Sequence, residues 1–340
     1  MKNRIEKLEL HSYGLIDEFF CDKFSNINLI IGKNGTGKTY LLKAMYTAIK
    51  TLEEFKRGDD NRTTSDILCE KLRWTFQTEK LGDIVMKSSQ NPLTFSLNID
   101  NKTFNYQFSK DAAAKIINLK NDIGNKEGNS IFIPAKEVLS LFNIILRSRE
   151  LDKAFGFDDT YYDLVRALRI APKRGKNYSA FATSRNMLKE LIDGKIDFDD
   201  DSGKWYYKKG NVKFSIGITS EGIKKISILD RLLANGYLDN SSILFIDEIE
   251  SALHPSAISK FLDIIDIIAN EMGIQVFIAS HSYFVIKKLY LIARKRNCPV
   301  TCISLDENET KISDMCEGMP ENSIIDESIR LYEEEIDEVL

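Results

Sequence analysis

The sequence predicts an α/β fold, a mixed sheet with helices packed against it and a helical lobe inserted in its middle. Three observations carry that prediction. Gly32-Lys33-Asn34-Gly35-Thr36-Gly37-Lys38-Thr39 satisfies the phosphate-loop pattern G-x-x-x-x-G-K-[ST] at every fixed position. The apolar run Ser242-Ile243-Leu244-Phe245-Ile246 ends in the carboxylate pair Asp247-Glu248. Downstream of it, Val276 to Ala279 and Val300 to Leu305 are further apolar runs separated by helical patterns, the alternation of a parallel sheet.

In chain order, Leu8-Glu9-Leu10, Tyr13-Gly14-Leu15-Ile16 and Asn26 to Ile31 are short apolar runs divided by turns, two or three strands that deliver the chain to the loop. Asn26 to Ile31 reads as a buried parallel strand, and Tyr40-Leu41-Leu42-Lys43-Ala44-Met45 continues as a helix. The backbone N–H groups of residues 32–39 therefore converge on a helix N-terminus, which favours anions. Gly35 and Gly37 let the backbone wrap a β-phosphate, Lys38 neutralises β- and γ-phosphate charge, and the Thr39 hydroxyl is a ligand for Mg²⁺.

After a helical stretch to about 57 comes a polar run over 58–66, then strand-like segments. The clearest are Leu93 to Ile99 and Thr103 to Phe108, which alternate with period two around Asp100-Asn101-Lys102 and predict a hairpin. Ile131-Phe132-Ile133-Pro134 is a further strand, opening a mainly helical region over about 137–194. A second hairpin, Lys204 to Tyr207 with Val212 to Ile216, returns the chain to the body. The expected division is a head made of 1–136 and 204–340 around an inserted helical lobe, 137–203. Glu327 to Leu340 reads as an acidic amphipathic helix.

With 340 residues, 43% of them hydrophobic, the chain can bury a large core, which excludes a disordered protein. A net charge of -4 gives no overall basic field, so nucleic acid would have to meet a local patch. The candidate is Arg166 to Lys176, with Arg166, Arg169, Lys173, Arg174 and Lys176 near Tyr161, Tyr162 and Tyr178. It is either a phosphate-tracking cluster or a solvated helix end. Cys21, Cys69, Cys298, Cys302 and Cys316 are scattered and read as reduced thiols. No uncharged apolar run approaches the length of a membrane span, and a soluble, cytoplasmic protein without a membrane partner is expected.

The strand-end carboxylates divide the chemistry between them. Asp247 would hold the Mg²⁺ water shell, while Glu248 would orient and deprotonate an attacking water. His281, in Ser280-His281-Ser282 after an apolar strand, sits where an imidazole can meet a γ-phosphate. His254, in Leu253-His254-Pro255, is either a second such group or a helix opener. Ser220 in Thr219-Ser220-Glu221-Gly222 is a good N-cap. With the Gly222 backbone it could also bind the γ-phosphate held by another subunit.

The order Gly32 to Thr39, Ser220-Glu221-Gly222, Ile243 to Glu248, Leu253-His254-Pro255 and Ser280-His281-Ser282 resembles the ABC-type ATPase head of the RecF, SMC and OLD group. It is most similar to the compact bacterial AAA-family ATPases of phage-defence and toxin–antitoxin loci. That resemblance implies a P-loop NTPase that hydrolyses ATP to ADP and phosphate, with Glu248, Lys38 and His281 catalytic. It also implies that Ser220 and Gly222 act in trans, so that ATP is sandwiched in a homodimer or higher homo-oligomer. Glu221 stands where many transporters and SMC heads carry glycine. For the glutamine that such heads place at the lobe junction, Gln77 is the candidate, with Lys136 and Glu137 as others. The insert is too short for an SMC coiled coil, and the residues after 306 are too few for a Toprim nuclease domain. The implied partner is a separate effector, a nuclease or toxin; the alternative is a RecF-like repair ATPase that binds DNA.

Overall fold

The computed structural model describes residues 3–173, 179–306 and 309–339. It opens with β1 (Ile5–Tyr13), β2 (Ile16–Cys21) and β3 (Ile27–Gly32), followed by α1 (Lys38–Glu54) and α2 (Thr64–Phe76). Then come β4 (Leu93–Ile99), β5 (Lys102–Phe108), β6 (Asn118–Asn121) and β7 (Ile131–Ile133). The lobe region holds α3 (Phe142–Glu150), α4 (Asp159–Arg169) and α5 (Ser179–Ile192), then β8 (Lys195–Asp199), β9 (Lys204–Lys209) and β10 (Val212–Ser215). The chain finishes with α6 (Glu221–Ala234), β11 (Ile243–Asp247), α7 (Pro255–Asn270), β12 (Gln275–Ala279), α8 (Tyr283–Arg296), β13 (Val300–Leu305), β14 (Thr310–Asp314) and α9 (Ser323–Val339).

The central sheet has the order β14-β13-β3-β12-β11-β7 and is parallel except for β14. Every residue of β3, β11, β12 and β13 is buried, as predominantly apolar strands covered on both faces must be. Side-chain alternation divides those strands between two cores. Ile243, Phe245 and Phe277 face α1, while Leu244, Ile246, Val276 and Ile278 pack among residues of α4, α6, α7 and α8. Phe245 stacks on Phe132 and on Phe277, with centroids 6.3 and 5.3 Å apart, and the edge of Tyr46 from α1 meets Phe245.

α1 is buried on nearly every side because a second, antiparallel sheet, β2-β1-β4-β5-β6, covers its other face. In β4 the residues alternate buried and half-buried, so one face meets α1 and the other meets water. The outcome is a phosphate-loop helix clamped between two sheets.

Two segments differ from expectation. The residues after the polar run, read as strand-like, form α2 instead: Thr63 and Asp66 make a reciprocal capping box, and Ile67, Leu68, Lys71, Leu72 and Thr75 recur on one buried helical face. The hairpin of β9 and β10 gains a third strand, β8, giving the sheet β10-β9-β8. Phe198 of β8 and Trp205 of β9 both pack on Phe142 of α3. The expected head–lobe boundary at 203/204 thus falls inside a paired sheet; Ile196 and Phe198, set among Asp and Lys, were too few apolar residues to read as a strand.

Candidate nucleotide site

The site residues gather at the carboxyl ends of the parallel strands, where α/β sheets place their crevices. β3 ends at Gly32, where a Cβ would lie 2.2 Å from the Leu305 carbonyl oxygen of β13, so the loop leaves the sheet only through glycine. Lys33, Asn34 and Gly35 form the exposed crest, and the Thr36 hydroxyl donates to Lys33 O at 3.0 Å. Gly37 is the N-cap of α1 with φ 95°, a left-handed conformation that admits glycine without strain.

Lys38 is buried and its Nζ donates to Gly32 O at 2.8 Å and Lys33 O at 2.7 Å. Burial pulls its pKa down, opposed by Asp247, Glu248 and Glu250. One residue on, Thr39 Oγ1 donates to Asp247 Oδ2 and Oδ1 at 2.9 and 3.1 Å. Asp247, at the end of β11, has its pKa raised by burial, with the Thr39 hydrogen bond acting the other way. A hydroxyl and a carboxylate in contact are the hard oxygen donors that suit Mg²⁺. Among the described residues there is no cluster of three His, Cys, Asp or Glu that could hold a metal ion alone. An ion at Thr39 and Asp247 would complete its shell with phosphate and water oxygens.

Glu248 follows in the left-handed region with φ 46°, uncommon for a residue with a Cβ. Its backbone is fixed from two sides: its N–H donates to Ala279 O of β12 at 3.0 Å, and its carbonyl accepts from Lys225 Nζ of α6. Lys225 is buried behind the carboxylates, and that burial pushes its pKa down to about 8. The Glu250 side chain turns back to the end of β12, where Oε1 accepts from Ser280 Oγ and from His281 N, each at 2.9 Å. The His281 ring is about half exposed, with Nδ1 3.4 Å from the same oxygen.

A cavity of about 630 Å³ opens beside these groups. Lys38, Thr39, Asp247 and Glu248 line one end of it, and Tyr40, Phe76, Gln77, Lys136 and Tyr161 line the rest. Of the lobe-junction candidates, Gln77 and Lys136 reach the cavity, whereas Glu137 accepts from Lys224 at 3.3 Å and from Ser140 N at 3.1 Å. α4 meets the site at its N-cap, Asp158, whose Oδ2 accepts from Lys43 Nζ at 2.6 Å. Beyond it, Tyr46 donates to buried Asp163 at 2.8 Å, and Lys71 lies 3.4 Å from both Asp163 and Asp159.

Ser220, Gly222 and His281 are not among the cavity-lining residues. Ser220 is exposed and caps α6, its Oγ accepting from Ile223 N at 3.4 Å. Gly222 is buried, and a Cβ there would come 2.7 Å from Ala252 O, so close packing of α6 on the loop after β11 demands glycine. His254 caps α7 by accepting from Ser256 N, with Pro255 at the first helical position: the helix-opening role. Of the basic patch, Arg166, Arg169 and Lys173 are exposed; Arg174, Lys176 and Tyr178 lie outside the described residues. Sequence reasoning missed Lys225, Glu250 and the Lys43–Asp158 pair. A third acid two residues beyond Glu248 was the available signal for Glu250; nothing local marks the other two.

A family model described as an AAA domain, putative AbiEii toxin, Type IV TA system, matches residues 27–287. No curated protein matches the chain. Among solved structures, an SMC head bound to the C-winged helix domain of ScpA is similar at 12% identity and a TM-score of 0.55, over 91% of this chain and 97% of that one. An SMC head domain from Thermotoga maritima aligns at 13% identity and 0.46, over 92% and 98%. The recombination mediator protein RecF with ATP aligns at 11% and 0.44, over 92% and 99%. Matched from β3, which feeds the phosphate loop, to α8, just beyond His281, the chain belongs to the AAA domain family described as putative AbiEii toxin, Type IV TA system, and is an ATPase whose fold is similar to that of an SMC head.

Proposed function

We infer that this ATPase closes as a homodimer around ATP and, in that state, controls a separate effector, a nuclease or toxin, in bacterial anti-phage defence. The observation that carries the reading is the contact of Thr39 with Asp247 beside a Glu248 whose backbone is held on both sides. Lys38 and the loop N–H groups would bind the phosphates, Thr39 and Asp247 would hold Mg²⁺, and Glu248 would orient the attacking water and take its proton. Magnesium, when bound, supplies positive charge that offsets the charge on the phosphate oxygens. His281 is close to the surface and would meet the γ-phosphate as the site is covered. Ser220, at an exposed helix N-terminus, would reach the phosphate held by the opposite copy.

A two-component system is supported by the family's description, which names a Type IV TA system and gives the AAA domain as its AbiEii toxin. A cytoplasmic location belongs to the same proposal; among the described residues no helix is long and apolar enough to cross a membrane. The test is to purify tagged Glu248→Gln protein from its host with ATP and Mg²⁺. The expected result is a dimer or larger assembly carrying a stoichiometric second protein that is lost without ATP. A monomer that retains no protein under any nucleotide condition overturns the proposal.

Exposed Arg166, Arg169 and Lys173 at the end of α4 favour one other reading, a RecF-like repair ATPase that binds DNA. It requires ATP-dependent DNA affinity that falls steeply with salt; binding that is absent or indifferent to salt removes it.

A further inference from the structure

Glu250 lies two residues beyond Glu248, outside the set of groups that would meet nucleotide, yet it is held more firmly than a loop carboxylate needs to be. Its side chain is about nine-tenths buried. One oxygen, Oε1, accepts from both Ser280 Oγ and His281 N at 2.9 Å. Ser280 is itself tied to the phosphate-loop strand, its N–H donating to Ile30 O at 3.0 Å, and its Oγ also accepts from Ser282 N at 3.0 Å. The other carboxylate oxygen, Oε2, is buried with no hydrogen-bond partner. A buried carboxylate oxygen without a donor is costly, so it needs an explanation.

A donor beside this carboxylate is the His281 ring, whose Nδ1 stands 3.4 Å from Oε1, the oxygen that already accepts from Ser280 and His281 N. The other charged groups around this point are Asp247 and Glu248 at the end of β11, Lys38 of α1 and Lys225 of α6. Both lysines feel the charge of Glu250, but Lys38 donates to the carbonyls of Gly32 and Lys33, and Lys225 to those of Asp247 and Glu248. The imidazole is the one that can move, being about half exposed. A modest turn of the ring would bring Nδ1–H onto the carboxylate. That would fix the proton on Nδ1 and leave Nε2 directed outward.

We propose that Glu250 is a positioning residue that orients His281: its carboxylate anchors the His281 backbone and takes Nδ1–H, so that Nε2 is presented to the γ-phosphate. This rests on His281 meeting the γ-phosphate, as inferred above. In this role Glu250 would act on turnover through His281 rather than by meeting the phosphate or the attacking water itself.

The experiment is a double-mutant cycle on the full chain with wild type, Glu250→Gln, His281→Ala and the double variant. For each, kcat and the dissociation constant for Mg-ATP are measured, and folding is checked by thermal melting. The expected result for Glu250→Gln is a fall in kcat of roughly 10- to 100-fold, the scale seen when the carboxylate behind a functional imidazole is removed, with affinity within about twofold of wild type. The double variant should be no slower than His281→Ala, because the two act as one unit. Losses that multiply overturn the proposal, as does an affinity that falls in step with kcat. If His281→Ala alone leaves kcat unchanged, the reading of His281 fails first, and any Glu250→Gln loss belongs to the loop's fold. Should Glu250→Gln not fold, Glu250→Asp keeps the charge but shortens the reach; a folded Asp variant with wild-type kcat also overturns the proposal.

Discussion

The phosphate loop and the Ser220 turn both present a helix N-terminus, that of α1 and that of α6, but the two are finished in opposite ways. α1 begins at Gly37 with no side-chain cap and no acidic residue in its first turn. Its leading N–H groups are therefore left for an external acceptor, with buried Lys38 beside them. α6 begins at Ser220, whose hydroxyl already accepts from Ile223 N, and Glu221 in its first turn accepts from Lys224 at 2.8 Å. α1 is also buried between two sheets, while Ser220 and Glu221 stand in solvent. The α1 terminus is open to an anion, while the α6 terminus satisfies itself; in the proposed dimer it would have to exchange those bonds for the phosphate held by the opposite copy. The difference fits the proposed division between a binding half and a completing half.

The sharpest way to separate the halves is to stop the chemistry without touching either terminus. Glu248→Gln keeps the side chain's shape and removes the base, so ATP turnover should fall by about 10²- to 10⁴-fold with affinity unchanged. Equal turnover in Glu248→Gln and wild type would refute the role. Breaking the α1 side comes next: Lys38→Ala should weaken Mg-ATP binding by roughly 100-fold, about 3 kcal/mol for a lost charge-assisted contact. Calorimetry that finds wild-type affinity in a folded variant would show that the loop binds by its backbone alone. The α6 side predicts a smaller and different effect. Ser220→Ala should leave affinity in dilute protein within about twofold while turnover drops on the order of tenfold, and the lost cap should cost about 1 kcal/mol of stability. A matching loss of affinity would place Ser220 in its own copy's phosphate site.

Much of this arrangement was legible in the chain. β3, β11, β12 and β13 are predominantly apolar, broken only by residues such as Asn28, Gln275, Thr301 and Ser304, because both faces of the central sheet are covered, and such runs announce themselves. Thr39 and Asp247 were each named from local pattern, and parallel pairing of β11 with β12 and of β12 with β3 explains how residues so far apart in sequence come to lie 2.9 Å apart. The helical face of α2 is masked in sequence because it includes the polar residues Lys71 and Thr75; the burial of Lys71 depends on Glu54 of α1 and Asp163 of α4, partners in other elements. Lys225 was invisible for the same reason: a lysine in an amphipathic helix reads as solvated until the Glu248 carbonyl it meets is known. Gly222 carries two meanings that sequence cannot part, close packing against Ala252 and an open backbone for ligand. Contacts made across elements, rather than along them, were what local pattern could not supply.

The firmness of α1 has one further test, the smallest in effect, in the ionic cluster that ties it to α4. Asp163 accepts from Tyr46 of α1, and although burial opposes its ionisation, Lys71 and Lys50 outweigh that and keep its pKa low. Its neighbour Asp159 fares otherwise: Arg149 and Lys71 lie 2.9 and 3.4 Å away, yet neither carboxylate oxygen receives an aligned hydrogen bond. Burial then dominates, and the Asp159 pKa is pushed up to about 7, with Lys71 pulling the other way. An acid whose pKa rises on folding is most favourable to the fold when neutral. Its contribution is complete below the unfolded value near 4 and is lost as pH climbs through about 7. Asparagine has no such proton to lose. Melting curves at about pH 6 and about pH 8 should therefore show wild type losing stability relative to Asp159→Asn as pH rises, by about 2 °C or more. If the difference between the two proteins is the same at both pH values, Asp159 stays charged throughout, and the pull of Lys71 and Arg149 has outweighed its burial.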